Sequence, residues 1–506
     1  MTQGFVEELS DGDKDPGFFG KTKYGQGASS AGARYVCLLV GLKGVGGSIV
    51  ADAAGVAVTT PEEVDAVAGA GELAGMGHAA LRVLDGSGVT LMLAAPTPAG
   101  GAVAAAATIT RPGTATAAAE WKYRSAGVEI SGGTSATSTP TQVAAAVVAA
   151  ITARPRMRVS AANVAGVVTV TDKSPGARGL DLILVQDKSK LTSGGLDSAI
   201  AGGAATSNGG VRFTGGSGVE DVTALLANLF PGRYNRIGAA QIDATNAGKW
   251  ELQLDDKAGS SQNRTEHIVF ATNVALQSTA TSLAQTTLNE QRAAVIRMRN
   301  AETPAPEIAA IVAAKRALYE QDDPNRNWDD EVLPGIYPAT AETDIPSRAV
   351  RIVSLDAGVT ELKTVGSTVL IVRGITTRSL TDAGAIDDRT IDWGDAVTPD
   401  WIRDDVKLYW ETEFKPANPH NEDDALPGAP DPLSGIATPR LWNDILKGRM
   451  ATYQLRRMVT RIAQNPPKTI FNRNAKRLAF RLPIVVLPKA HQIEGSFEQV
   501  PYNSAQ

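Results

Sequence analysis

The chain has 506 residues, only 5% of them aromatic, with 50 glycines, one cysteine and a net charge of −5. That length exceeds what one core holds, so two to four domains are expected, rich in turns and strands. No run of about 20 apolar residues is present to cross a membrane, the acidic start MTQGFVEELSDGDKDPG lacks a signal peptide's basic head and apolar centre, implying cytoplasmic synthesis, and the lone Cys37, set among Val36, Leu38 and Leu39, excludes an intramolecular disulfide and reads as a buried small hydrophobe.

Residues 1–30 read as an extended arm. Asp15-Pro16-Gly17 forces a turn, Phe18, Phe19 and Tyr24 are isolated aromatic anchors, and Gly25 to Ser30 is too glycine-rich for a helix. With so few apolar residues the segment cannot bury itself and is expected to lie along something else. Arg34 to Gly41 is a compact apolar run, predicted as a buried strand. The following Leu42 to Ser48 resembles a phosphate loop only in its glycines: counted from Gly41, the place of the essential lysine is taken by Gly47, so it reads as a plain turn. Thr60-Pro61-Glu62-Glu63 combines a cap, a first-turn proline and first-turn acids, which predicts a helix to about Ala68. Met76 to Leu84 is a second helical patch and Val89 to Ala95 a strand; His78 has no second ligand near it in sequence and reads as a packed or surface histidine.

Composition shifts at Pro96 to Gly101, and a second module is expected over 101–206. Its predicted parts are strands at Ala107 to Arg111 and Ala119 to Ile130, a helix from the Thr139-Pro140 cap to Ala153 with Val143, Val147, Val148 and Ile151 on one stripe, and strands near Met157 to Ala161, Gly166 to Asp172 and Leu180 to Gln186. One amphipathic helix against short strands makes a small α+β domain. Gly194 to Gly210 is expected to be a linker back to the main domain, and Ser217 in Gly-Gly-Ser-Gly-Val lacks the last glycine of a nucleophile elbow.

From Val219 to Tyr319 the periodicity alternates: helix 219–230, strand 234–242, helix 245–254, strand 267–271, helix 276–288, strand 293–298, helix 305–319. Strands separated by helices of this length imply a parallel α/β sheet. The last helix places Ile308, Ile311, Val312, Leu318 and Tyr319 on one face. No Gly-x-Gly-x-x-Gly follows any strand, and the four histidines (His78, His267, His420, His491) have no spacing that links them, so no catalytic, metal or cofactor-binding residues are assigned and the chain is not read as an enzyme.

Asn325 to Pro346 is an irregular, proline-rich connection containing Leu333-Pro334-Gly335. Then Leu355 to Thr360 reads as a turn opening a strand to Val365, Gly366-Ser367 as a tight turn, and Thr368 to Arg373 with Ile375-Thr376-Thr377 as the return strand of a β-hairpin. Beyond it the charge separates: fourteen acids against four bases over 379–436, then twelve bases against Asp444 over 437–490. The alternate spacing a calcium loop needs is missing from Asp382, Asp387, Asp388, Asp392 and Asp395, which are expected on a solvated or partner-facing surface. Asp400 to Phe414 is a predicted helix with Ile402, Val406, Tyr409 and Trp410 inward. Thr438-Pro439 opens a long helix to about Ile462, burying Leu441, Trp442, Ile445, Leu446, Met450 and Tyr453, then Met458, Val459 and Ile462, and leaving Lys447, Arg449, Arg456, Arg457 and Arg461 mostly outside. Leu478 to Leu487 and Ile493 to Val500 read as terminal strands, interrupted by prolines as edge or exchanged strands are.

Several of these phrases together resemble the contractile-tail sheath proteins of bacteriophages and related injection machines. They are the Leu-Pro-Gly-Ile before the hairpin, Asp356-Ala357-Gly358-Val359-Thr360 where that family reads N-D-G-V-T, the Gly366-Ser367-Thr368-Val369 strand, the Arg373 to Thr377 close and the Thr438-Pro439-Arg440 helix start. Val147 to Pro155 with Val159 and Ala161 is similar to the inserted domain of one branch of the family, and Pro16 to Phe19 to its N-terminal arm. The fold class this implies is multidomain α/β and α+β: an α/β core over 31–100 and 207–350, the inserted domain over 101–206, a C-terminal inner domain over 351–482, and extended arms at 1–30 and 483–506. The resemblance further implies a helical homo-polymer in a virion tail, with tail tube, baseplate and terminator proteins as partners, contracting without a nucleotide and without membrane insertion. Phe18, Phe19, Arg449, Arg456, Arg457, Arg461, Ile484, Val486 and Phe497 are the expected contacts between subunits or to the tube. The alternative is a nucleic-acid-binding protein using the basic 437–490 tract, against which stands the scarcity of aromatics there (Trp442, Tyr453, Phe471, Phe480); a nucleotide hydrolase ranks third.

Overall fold

The computed structural model describes residues 35–111, 113–188, 198–259, 264–387, 389–414, 418–419, 436–437, 439–472 and 477–491. Residues 401–485 form one compact unit; the rest of the described chain, 35–400 with 486–491, forms the other.

In chain order the larger unit begins with β1 (Val36–Val40), β2 (Val56–Val58), α1 (Pro61–Ala68), α2 (Glu72–Leu84) and β3 (Thr90–Ala94). A strand-rich stretch follows: β4 (Ala106–Thr110), β5 (Ala119–Ser125), β6 (Val128–Thr134), α3 (Pro140–Thr152), β7 (Val159–Val164), β8 (Val167–Asp172), β9 (Ile183–Gln186), β10 (Ala199–Ala201) and β11 (Val211–Arg212). Helix and strand then alternate through α4 (Thr223–Leu229), β12 (Arg236–Ala239), α5 (Ala244–Ala258), β13 (His267–Thr272), α6 (Gln277–Ser282), β14 (Ala293–Arg297) and α7 (Ala305–Glu320). The unit closes with β15 (Val332–Leu333), α8 (Arg348–Asp356), β16 (Val359–Val365), β17 (Thr368–Ile371) and the start of α9 (Trp393–Tyr409).

Nine strands form one sheet in the order β15-β17-β16-β14-β13-β12-β1-β3-β2. The six from β16 to β3 are mutually parallel, as the alternating periodicity predicts, and antiparallel β2, β17 and β15 finish the edges. Every residue of β12, β13 and β14 is buried, which is why apolar residues fill these segments apart from Arg236, His267, Thr272 and Arg297 at their ends: a parallel sheet is covered on both faces. Leu38 and Val40 share a core with Leu229, Trp250, Leu254 and Phe270, on the side of α4 to α6. Leu39 points the other way. There a Cβ on Gly238 would lie 2.9 Å from Leu39 Cδ2 and 3.3 Å from the Ala309 carbonyl, so a glycine in β12 opposite the alanines of α7 lets that helix sit against the strand. Helix α7 is buried nearly all round, because α2 covers its outer side. Lys315 and Arg316, near its C-terminal end, are therefore inside: Lys315 pairs with Glu331 at 2.5 Å, and Arg316 donates to Glu320 at 2.7 Å and lies 4.5 Å from the Trp393 ring centre.

The stretch between β3 and β12 makes two four-stranded sheets, β10-β4-β8-β7 and β11-β9-β5-β6. With α3 they enclose a core of Ile109, Trp121, Val147, Val168 and Phe213, among others. The two helix starts read from sequence are capping boxes, Thr60 with Glu63 and Thr139 with Gln142. Two expectations differ. Ala119 to Ile130 is not one strand but a hairpin, turned at Ala126 and Gly127, whose φ of 50° and 71° lie in the left-handed region. The predicted linker holds β10, which pairs with β4.

The smaller unit contains the second half of α9, a π-helical turn at Trp410–Phe414, the short parallel pair β18 (Asn418–Pro419) and β19 (Ile436–Ala437), α10 (Pro439–Leu455), and the hairpin β20 (Lys468–Asn472) with β21 (Arg477–Arg481). Helix α10 buries Trp442, Leu446, Met450 and Tyr453 as its period predicts but stops seven residues short of Ile462. Continuing it would have kept an outward apolar side chain, Leu455, which is 85% exposed; the chain instead turns through Arg457 and Arg461, both at positive φ, so that Met458 and Val459 reach the interior from a loop. Strand β20 was not expected from the sequence. Residues 1–30 and Ile493 to Val500 lie outside the described residues.

Candidate functional site

The glycines of Leu42 to Ser48 answer a packing need. A Cβ on Gly44 would fall 1.8 Å from the Ala70 carbonyl oxygen and one on Gly47 2.6 Å from that of Ala68, so this loop is pressed onto the α1–α2 connection and offers no phosphate cradle. Lys43 donates to the Ile49 carbonyl at 3.1 Å. Ser217 bridges to Val103. His78 bonds Asp65 at 2.8 Å, and His267, buried, lies 3.3 Å from Asp400, with burial pushing its pKa down to about 3. Among the described residues no three His, Cys, Asp or Glu side chains are placed to hold a metal ion. The Cys37 thiol is pushed up to about 12 by burial, which makes it a poor nucleophile. A cavity of about 920 Å³ opens beside α2, between Leu81, Leu91, Arg82, Arg156 and Glu307.

The β16–β17 hairpin closes with Val365 opposite Thr368 across Gly366-Ser367, as predicted, and joins the main sheet through β16 beside β14. What precedes it is a helix, α8, capped by Ser347, where the sequence suggested a turn from Leu355. Each part of the recognisable wording has a mechanical reason. Leu333 of the Leu-Pro-Gly phrase pairs with Val369 in β17. Gly358 sits at φ 78°, and a Cβ there would lie 2.7 Å from the Thr377 carbonyl oxygen. At Gly374 a Cβ would lie 2.6 Å from the Trp393 ring and 2.8 Å from Trp328. Arg373 donates to Asp392 at 2.8 Å, Trp393 Nε1 to the Ile375 carbonyl at 2.6 Å, and Thr377 Oγ1 to the Glu290 carbonyl at 2.9 Å. The Arg-Gly-Ile-Thr-Thr close is thus a staple between the sheet edge and the start of α9.

The acidic run was expected on a solvated or partner-facing surface; Asp387 and Asp392 correct that expectation, and Asp388 lies outside the described residues. Asp387 and Asp392 are buried; Arg389 and Arg378 hold the Asp387 carboxyl well below the usual range, and Asp392 is lowered by Arg373 and His491 despite the opposing effect of burial. Asp382 is exposed but bonded to Arg378 at 2.8 Å, and Asp400 pairs with Arg292 at 2.9 Å. These charges neutralise cations of their own unit.

In the smaller unit, the basic residues divide. Arg449 and Tyr453 both bond the buried Asp405, and Arg449 lies over the Tyr409 ring at 4.6 Å. Burial and the Asp405 charge push the Tyr453 hydroxyl far up, so it stays a donor. Arg456, Arg457 and Arg461 are exposed at the end of α10 beside Leu455, with Arg456 4.9 Å from the Trp401 ring centre. Trp442 and Tyr453 are buried, which removes them as base-stacking platforms; Phe480 is half exposed against Trp442. Ile484 and Val486 are half-buried, while Phe18, Phe19 and Phe497 lie outside the described residues. The positive-φ turns that set Arg457 and Arg461 outward carried no signal in the helical pattern.

No model of a known protein family matches the chain, and no curated protein matches it. Among solved structures, it is similar to the sheath tail protein of Desulfitobacterium hafniense at 14% identity and a TM-score of 0.46, covering 90% of this chain and 93% of that one. It is also similar to the sheath of an extracellular contractile injection system in its contracted state, at 12% identity and a TM-score of 0.38 over 56% of this chain and 77% of that one. The contracted helical sheath of an anti-feeding prophage matches at 11% identity and a TM-score of 0.38, over 58% of this chain and 79% of that one.

Proposed function

We propose that this chain is the subunit of a contractile tail sheath, a helical homo-polymer around a tail tube whose shortening drives the tube through a target envelope. The observation that carries the reading is the 333–377 block. Its Leu-Pro-Gly, Gly-Val-Thr and Arg-Gly-Ile-Thr-Thr phrases resemble that family's wording, and Gly358, Gly374 and Arg373 within them make the close contacts that staple one sheet edge. The interior is filled by ion pairs and apolar layers, which suits a load-bearing part. In this reading 101–206 is an inserted domain, the tube-facing part lies within 351–482, and the arms at 1–30 and 483–506 add strands to neighbouring copies, where main-chain hydrogen bonds give affinity. The β20–β21 ribbon, two strands with no third among the described residues, offers edges for such additions. Contacts of this kind run head to tail and need not close, so they build a filament. Arg456, Arg457 and Arg461 are proposed as contacts to the tube or to the next subunit; baseplate and terminator proteins would bind the polymer's ends.

The experiment is negative-stain electron microscopy of the purified full chain over a range of salt and concentration. Hollow tubes are expected. A protein that stays monomeric under all these conditions, with no tube and no association with a tail tube protein, would sink the proposal.

A further inference from the structure

His491 closes the described segment 486–491, which is bridged at Val486 and joins no named strand beyond it. Pro488 removes one of its backbone donors. Its attachments are few: Asn325 Nδ2 donates to the Leu487 carbonyl at 3.1 Å, and the His491 ring is held on both sides, Nδ1 to Asp329 Oδ2 at 2.6 Å and Nε2 to Asp392 Oδ2 at 2.9 Å. A carboxylate only accepts, so both ring nitrogens must donate, and a neutral imidazole has only one N–H. With both carboxylates ionised, this geometry is satisfied by the imidazolium alone. The two carboxylates differ in what else they hold. Asp392 is also bonded by Arg373, whereas the Asp329 side chain has His491 as its partner among the described residues, its other oxygen being buried and unpaired. Without the imidazolium, Asp329 would be a largely buried charge with no counter-cation, a costly state. The other charged groups around the ring are Lys489 on the same segment, Asp395 at the start of α9, and Arg326, Asp330 and Glu331 on the loop after α7.

We propose that His491 is a proton-dependent clasp: as an imidazolium bridging Asp329 and Asp392 it holds residues 486–491 on the chain's own core and so opposes their transfer to another copy. The transfer rests on the assembly reading above; the clasp itself does not. Loss of the ring proton leaves one nitrogen lone pair facing a carboxylate, which breaks one bond and frees Asp329. Sheet pairing ends with the bridge at Val486, so the residues beyond it open locally while the core stays closed.

The test uses the full chain as a monomer, selectively labelled with ¹⁵N-histidine, together with His491→Gln and Asp329→Asn. With only four histidines, the His491 ring signals can be assigned by their loss in His491→Gln. In the wild type both ring nitrogens should carry protons wherever exchange over 486–491 is slow, and one should be lost where that exchange quickens. Hydrogen exchange over 486–491, corrected for intrinsic base catalysis, should be at least tenfold faster in either variant and in wild type at alkaline pH, with β13 and β14 unchanged. A ring that is neutral while the segment's exchange is still slow, or unchanged exchange in both variants, overturns the clasp. If His491→Gln misfolds, which β13 exchange would reveal, Asp329→Asn decides. Faster filament formation by the variants supports the transfer; failure of every form to polymerise refutes the assembly reading and leaves the exchange result to judge the clasp.

Discussion

Glu72, at the first turn of α2, is fully buried and accepts from four donors: Arg178 Nη2 at 2.7 Å, Arg178 Nε at 3.0 Å, the Leu42 amide at 3.0 Å and Arg158 Nη2 at 3.2 Å. Both arginines come from the strand-rich stretch between β3 and β12, so this carboxylate fastens that stretch to the sheet. Burial alone would raise its pKa, but Arg178 first and Arg158 next pull it from 4.5 down to about 2. A depression of that size corresponds to about 3 kcal/mol of stability, present above the unfolded pKa and lost as pH falls from 4.5 to about 2. Glu72→Gln keeps the volume and removes the charge. At pH 7 it should destabilise the larger unit by about 2–4 kcal/mol, because Arg158 retains Asp172 and Arg178 retains Glu220. Hydrogen exchange of β13 and β8 reads the opening free energy of the sheet and of the strand-rich stretch separately. The difference between wild type and variant should be constant above pH 5 and shrink toward zero near pH 2. A loss below about 1 kcal/mol at pH 7, or a difference that does not change with pH, would refute the assignment of the stability to this ionised group.

Glu307 predicts the opposite sign. Burial raises its carboxyl to about 7, so the stability tied to its neutral form is lost as pH rises from 4.5 through 7; Glu307→Gln should be the more stable protein at pH 8, by up to about 3 kcal/mol and less to the extent that the cavity hydrates it, as read by urea titration. Gly358→Ala forces a methyl against the Thr377 carbonyl at positive φ and should cost at least about 2 kcal/mol, seen as a lowered Tm. Arg456→Ala, Arg457→Ala and Arg461→Ala combined should change stability by no more than about 1 kcal/mol, since all three are exposed, yet abolish or weaken filament formation in sedimentation; filaments at wild-type level would exclude them as contacts.

The parallel sheet was legible because helical and strand periods alternate from Val219 to Tyr319, and the hairpin because its turn residues and β-branched strands agree. Ala119 to Ile130 misled because a left-handed turn made by Ala126 and Gly127 lacks the asparagine or aspartate that usually announces one. Helix α8 was missed because its apolar residues face outward, with Ile352 48% and Val353 55% exposed, so its pattern does not report a core. The acidic run was misread for a related reason: a count of charges along the chain does not reveal Arg373, Arg378 and Arg292 waiting in space for Asp392, Asp387 and Asp400. His491 gave no sequence signal, since Asp329 and Asp392 meet it only through the fold.

The chain leaves the main sheet after β3 and comes back before β12, and Val103 bonds Ser217 at 2.9 Å, so the two ends of more than a hundred residues are pinned at a single point. Since β3 and β12 both flank β1, the sheet is continuous without what lies between them. The intervening body, proposed above as an inserted domain, thus joins the sheet without interrupting its strand order. The constraint on removing it is chemical: excision would strand Glu72, Glu220 and Glu302, whose cations Arg158, Arg178 and Arg124 leave with the part, and a frame built without it should carry neutral residues at those three positions.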